Sequence, residues 1–93
     1  VPILSLKSFD EVVERENNND LGLCSYIYTN SMEKAHKASE LMETGCVSVN
    51  TPTVAIAEGP FGGIKQTEYG REGGSMAIKD YLNIKYTHLG LKT

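Results

Sequence analysis

The sequence predicts an α/β fold: a partial parallel sheet of βαβαβ units, then a long Gly/Pro loop, a short helix and a terminal strand. Three observations lead there. Short β-favouring runs alternate with amphipathic stretches through the first half of the chain, joined by the short connections of right-handed βαβ units. The run from Leu21 to Thr29 is apolar on both parities, which suits a strand covered on both faces. Two prolines and six glycines crowd the 24 residues from Thr51 to Gly74, too many for a regular element.

The elements follow in order. Ile3-Leu4-Ser5-Leu6, after Pro2, reads as a first strand. Ser8 opens a helix, its hydroxyl accepting from the Glu11 amide while the Glu11 carboxylate reaches back. Phe9, Val12 and Val13 give that helix its apolar stripe. Asn17-Asn18-Asn19-Asp20 ends it, because these side chains compete for backbone hydrogen bonds. Leu21–Thr29 forms the second strand, rich in β-favouring types. Asn30 or Ser31 begins a second helix, with Glu33 in the reciprocal capping position to Asn30. Its stripe is Met32, Ala35, Ala38, Leu41 and Met42. Gly45 stops it, as a residue free to turn left-handed, and Cys46–Asn50 forms a third strand. A loop as long as Thr51–Gly74 is functional or packs on something else. Ser75–Leu82 permits a short helix. Ile84–Leu89 reads as a last strand whose uncovered edge calls for pairing, naturally with another subunit, so a homo-oligomer is expected.

Length and composition set the class. A chain of 93 residues allows one domain, 1–93, with a small core. Hydrophobic residues at 40% and charged residues at 23% are an ordinary globular mixture. Nine Lys and Arg against twelve Asp and Glu leave a net charge of -3, which argues against nucleic acid as a partner. No apolar run approaches the ~20 residues of a membrane span and no signal peptide opens the chain, so a soluble, cytoplasmic protein is expected. Cys24 and Cys46 lie too far apart for a CxxC motif and read as small core hydrophobes; a disulfide between them is possible in principle but is not expected in a reducing compartment. His36 and His88 stand apart from them, and no metal site is expected.

The residues themselves supply no catalytic engine. Gly62-Gly63 and Gly70-Arg71-Glu72-Gly73-Gly74 do not follow a strand and open a helix, as a dinucleotide fingerprint requires. Neither thiol has an activating base nearby in sequence. Lys65 and Arg71 suit either an anion site or structural hydrogen bonding. Phe61, between Pro60 and Gly62, is the most pocket-like residue, with anchoring the loop to the core as its other reading.

Gly45-Cys46-Val47-Ser48-Val49-Asn50, followed after nine residues by Pro60-Phe61-Gly62-Gly63-Ile64-Lys65, resembles the aldehyde dehydrogenase superfamily. So do Gly70-Arg71-Glu72-Gly73-Gly74 and the run from Ile78 to Tyr86. The resemblance covers essentially the whole chain, and within the family the Arg71–Gly74 stretch and the ending look most like succinate-semialdehyde-type enzymes. It implies an enzyme that oxidises an aldehyde, in that type a semialdehyde, to an acid with NAD or NADP. In such enzymes a cysteine thiolate attacks the carbonyl, hydride leaves to the nicotinamide, and glutamate-activated water hydrolyses the thioester.

The resemblance also implies that the nucleophile, general base and dinucleotide-binding domain lie upstream, so this chain is the C-terminal segment of a longer enzyme's catalytic domain. Neither Cys24 nor Cys46 falls at the nucleophile's position, no catalytic residue is assigned, and no cofactor is bound by this segment alone. Phe61 matches the aromatic at the substrate entrance, and Ala55 and Ile56 match positions that shape the aldehyde pocket. A serine there helps hold the carboxylate in succinate-semialdehyde enzymes, and neither Ala55 nor Ile56 can donate that bond. Residues 84–89 match a strand that pairs across a subunit interface. Thr67-Glu68 stand where Ser-Gly is usual, so Glu68 is strained if that site needs a positive φ. Glu16 and Leu21 also depart from the pattern, Leu21 standing where an aromatic is common. A different reading is a free-standing module, derived from the same fold, that self-associates without catalysis.

Overall fold

A computed structural model describes residues 1–92. Helix α1 spans Phe9–Asn17, strand β1 Leu21–Gly22, strand β2 Cys24–Ile27, helix α2 Met32–Leu41, strand β3 Cys46–Val49 and strand β4 Ile64–Lys65. A 3-10 turn over Ala77–Tyr81 follows.

The N-cap of α1 is Ser8, extended at φ -146°, with its hydroxyl accepting from the Glu11 amide at 3.2 Å. The Glu11 carboxylate accepts from the Lys7 amide at 3.0 Å, one residue before the expected donor. Ser31, not Asn30, caps α2 and accepts from the Lys34 amide. Glu33 therefore has no reciprocal role, and it pairs at 2.8 Å with Lys37 one turn on. Removing either cap hydroxyl, by Ser8→Ala or Ser31→Ala, is expected to destabilise the protein by about 1 kcal/mol. A thermal melt of the native-length protein reads this, and an unchanged midpoint would deny the cap its role.

Asn17 does more than end its helix. Its Nδ2 donates to the Leu41 carbonyl at 2.7 Å and its Oδ1 accepts from the Glu43 amide at 2.8 Å, so one side chain closes α1 against the end of α2. Helix α2 stops at Leu41, and Gly45 is not left-handed.

β2 and β3 pair in parallel, with Cys24 opposite Cys46, Ser25 opposite Val47, Tyr26 opposite Ser48 and Ile27 opposite Val49. α2 is the crossover between them, as the alternation predicted. Asn50 extends the pairing with its side chain: at φ 57°, its Oδ1 accepts from the Thr29 amide and its Nδ2 donates to the Thr29 carbonyl.

Other expectations are corrected. The single strand over 21–29 divides at Leu23, because β1 turns to pair antiparallel with β4 while β2 pairs with β3. Only one face of β2 is covered: Ser25 is buried and Tyr26 exposed. Ile3–Leu6 forms no strand: among the described residues its backbone pairs with no other strand, and Ile3 is 92% exposed. The helix expected over 75–82 shrinks to the 3-10 turn, which lacks a side-chain N-cap. Among the described residues, 84–89 have no ladder partner, with Ile84 100% and Tyr86 83% exposed. Among the described residues Ala38 is the one apolar side chain that counts as buried, and the chain extends over 75 × 25 × 25 Å.

Candidate functional site

The Gly/Pro segment is a fastened loop rather than a slack one. Phe61 and Glu72 exchange both backbone hydrogen bonds at 2.7 Å, a one-pair antiparallel bridge. The Gly74 amide donates to the Ala57 carbonyl at 2.8 Å, so residues 57–61 and 72–74 form two legs side by side. Gly73 (φ 68°) and Gly74 (φ 65°) turn left-handed there, where a side chain would be strained.

Arg71 fixes the root of the loop. Its guanidinium donates to the Gly62 carbonyl and, at 3.2 Å, to the Gly45 carbonyl, tying the loop to the start of β3. Its amide donates to Asp80 Oδ2 at 2.7 Å and thereby holds the 3-10 turn. Glu68 Oε1 accepts from the Gly63 amide at 2.8 Å. Glu68 does not adopt a positive φ; the left-handed residue is Lys65, at 57°, so the expected strain at 68 does not arise. Lys65 Nζ donates to the carbonyls of Asn17 (2.9 Å) and Asn19 (3.0 Å) and pairs with Glu43 at 2.7 Å. Both cations are thus engaged with protein oxygens, which favours the structural over the anion-binding reading.

Of the residues expected to face substrate, Phe61 lies on the first leg, and Ala55 and Ile56 come just before it in the chain. Phe61 is half-buried in the bend. Ile56 is 55% exposed, and its carbonyl accepts from the Gly59 amide in a tight turn. Ala55 precedes it, also exposed. A cavity of about 600 Å³ lies elsewhere, between α1, β2 and α2, lined by Phe9, Val12, Tyr26, Ala38 and Met42 among others. A second, of about 420 Å³, lies at Glu68–Glu72, Asp80 and Tyr81.

Burial, reinforced by the neighbouring Cys46 thiol, pushes the Cys24 thiol up from its ordinary value, which keeps it protonated. Cys46 Sγ donates to the Gly62 carbonyl at 3.5 Å. Among the described residues no group of three His, Cys, Asp or Glu is placed to hold a metal. The loop's glycines do not fit a dinucleotide, because the amides of Gly63 and Gly74 already donate within the protein. Sequence reasoning missed Asn50, Glu68 and Asp80 as loop-fastening residues. Asn50, directly after an apolar strand, carried a usable signal for a left-handed residue. The partners of Glu68 and Asp80 are set by how the loop folds back, which no local pattern reveals.

The aldehyde dehydrogenase family model matches residues 1–87. The 3-sulfolactaldehyde dehydrogenase of Pseudomonas putida is 46% identical over 89 residues, covering 96% of this chain and 18% of that protein. The NADP(+) succinate-semialdehyde dehydrogenase GabD of Escherichia coli (strain K12) is 37% identical over 90 residues, 97% of this chain and 19% of that protein. The structure of the NAD+ complex of an aldehyde dehydrogenase from Bacillus cereus superposes with a TM-score of 0.88 at 35% identity, over 96% of this chain and 18% of that one. The chain thus spans less than a fifth of the length of these proteins.

Proposed function

This chain belongs to the aldehyde dehydrogenase family, and we propose that the protein it builds oxidises an aldehyde to a carboxylic acid with NAD or NADP. In this reading the chain supplies one wall of the substrate pocket and a contact between subunits. The observation that carries it is how Phe61 is held. The Glu72 backbone grips it on one side, and the Arg71–Gly62 contact anchors the next residue, so an apolar ring stands in a fixed bend with Ala55 and Ile56 ahead of it. Such a wall contributes apolar contact and orientation, not chemistry.

Sulfolactaldehyde and succinate semialdehyde, named for two of the relatives, both carry an acid group. We infer an acid-bearing aldehyde here as well, possessing a short chain that Phe61, Ala55 and Ile56 cover. Its anionic end is then received by residues other than Ala55 and Ile56, which have no side-chain donor. The nucleophile, base and cofactor cradle belong to other parts of the protein, so the 93-residue chain by itself is inactive.

Reduced-nicotinamide absorbance tests this on the native-length protein. Phe61→Ala is expected to raise KM for the aldehyde about tenfold, equivalent to about 1.4 kcal/mol of lost contact, while KM for the cofactor stays constant. An unchanged aldehyde KM would remove Phe61 from the wall. Turnover by the isolated 93-residue chain would overturn its assignment as a non-catalytic segment.

The exposure of residues 84–89 supports the subunit contact, since a bare extended edge seeks a partner strand. Ile84→Pro deletes one backbone donor in that run and is expected to shift the protein to smaller species in sedimentation. An intact oligomer would dismiss strand pairing there. The same exposed arm also favours the second reading, a self-associating module without catalysis. That reading gains if the native-length protein assembles but oxidises no aldehyde. Both cysteines are free, and we place the protein in the reducing cytoplasm. No described helix is long and apolar enough to cross a membrane.

A further inference from the structure

We propose that Cys24 and Cys46 form a modification site, a thiol pair that a peroxide closes into a reversible disulfide between β2 and β3. The two residues are direct partners in the parallel ladder. Paired strands lie about 4.8 Å apart, within the range of about 4.4–6.8 Å between the Cα atoms of bridged cysteines. Partners at one level of a ladder project to the same face, so the two sulfurs start side by side. Both are free and half-buried, so neither is sealed from solvent. The Cys46 thiol is among the influences that push Cys24 up, as expected for adjacent sulfurs.

The chemistry balances with peroxide as the oxidant. One sulfur, as thiolate, attacks a peroxide oxygen; the O–O bond breaks, a sulfenic acid forms, and the displaced hydroxide leaves as water after taking a proton. The second sulfur then displaces hydroxide from the sulfenic acid, which also leaves as water. Two thiol protons and two electrons pass to the peroxide, and the S–S bond forms. Burial keeps Cys24 protonated, so the reaction is slow for a thiol, and selectivity comes from proximity. An in-register bridge between neighbouring strands must draw the Cβ atoms towards the roughly 3.8 Å that disulfides favour. The resulting strain makes the bond easily reduced.

Closure has a local consequence. Cys46 now donates to the Gly62 carbonyl, which also accepts from Arg71. The disulfide has no proton to donate, and this root of the loop then rests on Arg71.

The test is peptide mapping of the native-length protein after peroxide treatment without denaturant, digested and analysed unreduced. We expect a cross-linked peptide pair containing Cys24 and Cys46, lighter by two hydrogens than the separate peptides and split by dithiothreitol. Cys24→Ser and Cys46→Ser should each abolish it and leave the remaining thiol open to alkylation. If both cysteines of the folded wild-type protein are alkylated after peroxide, or either is bridged elsewhere or carried on to sulfinic acid, the proposal fails.

Discussion

Replacing Gly45 by alanine is expected to destabilise the native-length protein by about 3 kcal/mol. A Cβ at this position would sit on the Gly62 carbonyl oxygen and 2.7 Å from Arg71 Nη1. The oxygen is backbone, held by Arg71 and Cys46, and cannot swing aside as a side-chain end would. Gly45 has no left-handed φ, so its requirement is for room and not for conformational freedom. Relief means moving the loop away from β3, which breaks the Arg71–Gly45 and Cys46–Gly62 contacts at its root. Urea denaturation reads the loss directly, and an unchanged midpoint would show that the loop root yields without cost.

Arg71→Ala should cost about 2 kcal/mol, because it takes the guanidinium from the part-buried carbonyls of Gly45 and Gly62 and leaves the latter only the weak Cys46 thiol donor. Arg71→Lys should recover little. One ammonium on a flexible stem lacks the planar donor set that reaches two carbonyls at fixed separation. The Arg71–Asp80 bond involves the backbone amide and survives both changes. Combining Gly45→Ala with Arg71→Ala should cost less than the separate losses together, since Arg71 Nη1 is one of the atoms the new methyl group meets. Full additivity in that double-mutant cycle would separate the two residues into independent sites.

The parts of the fold that local rules govern were legible. Ser8 as a cap, the presence of the two helices and the parallel pairing of the second and third strands follow from spacing and capping chemistry. Gly45 was noticed for the wrong reason: a glycine after a helix suggests a left-handed stop, whereas here it admits the Gly62 backbone from a distant loop. The division of Leu21–Thr29 was invisible because β4 recruits its first residues from more than forty positions away. Ile3–Leu6 has the composition of a strand but no neighbour to supply its hydrogen bonds, and composition cannot provide one. For the site, the motif around Phe61 marked the bend. The clamps from Arg71, Glu68 and Asp80 depend on backbone atoms that only the folded loop presents.

The shortage of interior also has a thermodynamic meaning. A compact chain of 93 residues has a radius of gyration near 12 Å, whereas this one measures 18.9 Å. With Ala38 alone classed as buried among the described apolar residues, too little surface leaves water to offset ordering the backbone. The stability of this segment is therefore a mass-action quantity. With a partner on its exposed apolar side chains, it would grow with the logarithm of that partner's concentration, by about 1.4 kcal/mol for each tenfold rise once binding dominates. When the partner is built into the same polypeptide, that concentration is an effective one, fixed by the linkage and indifferent to dilution.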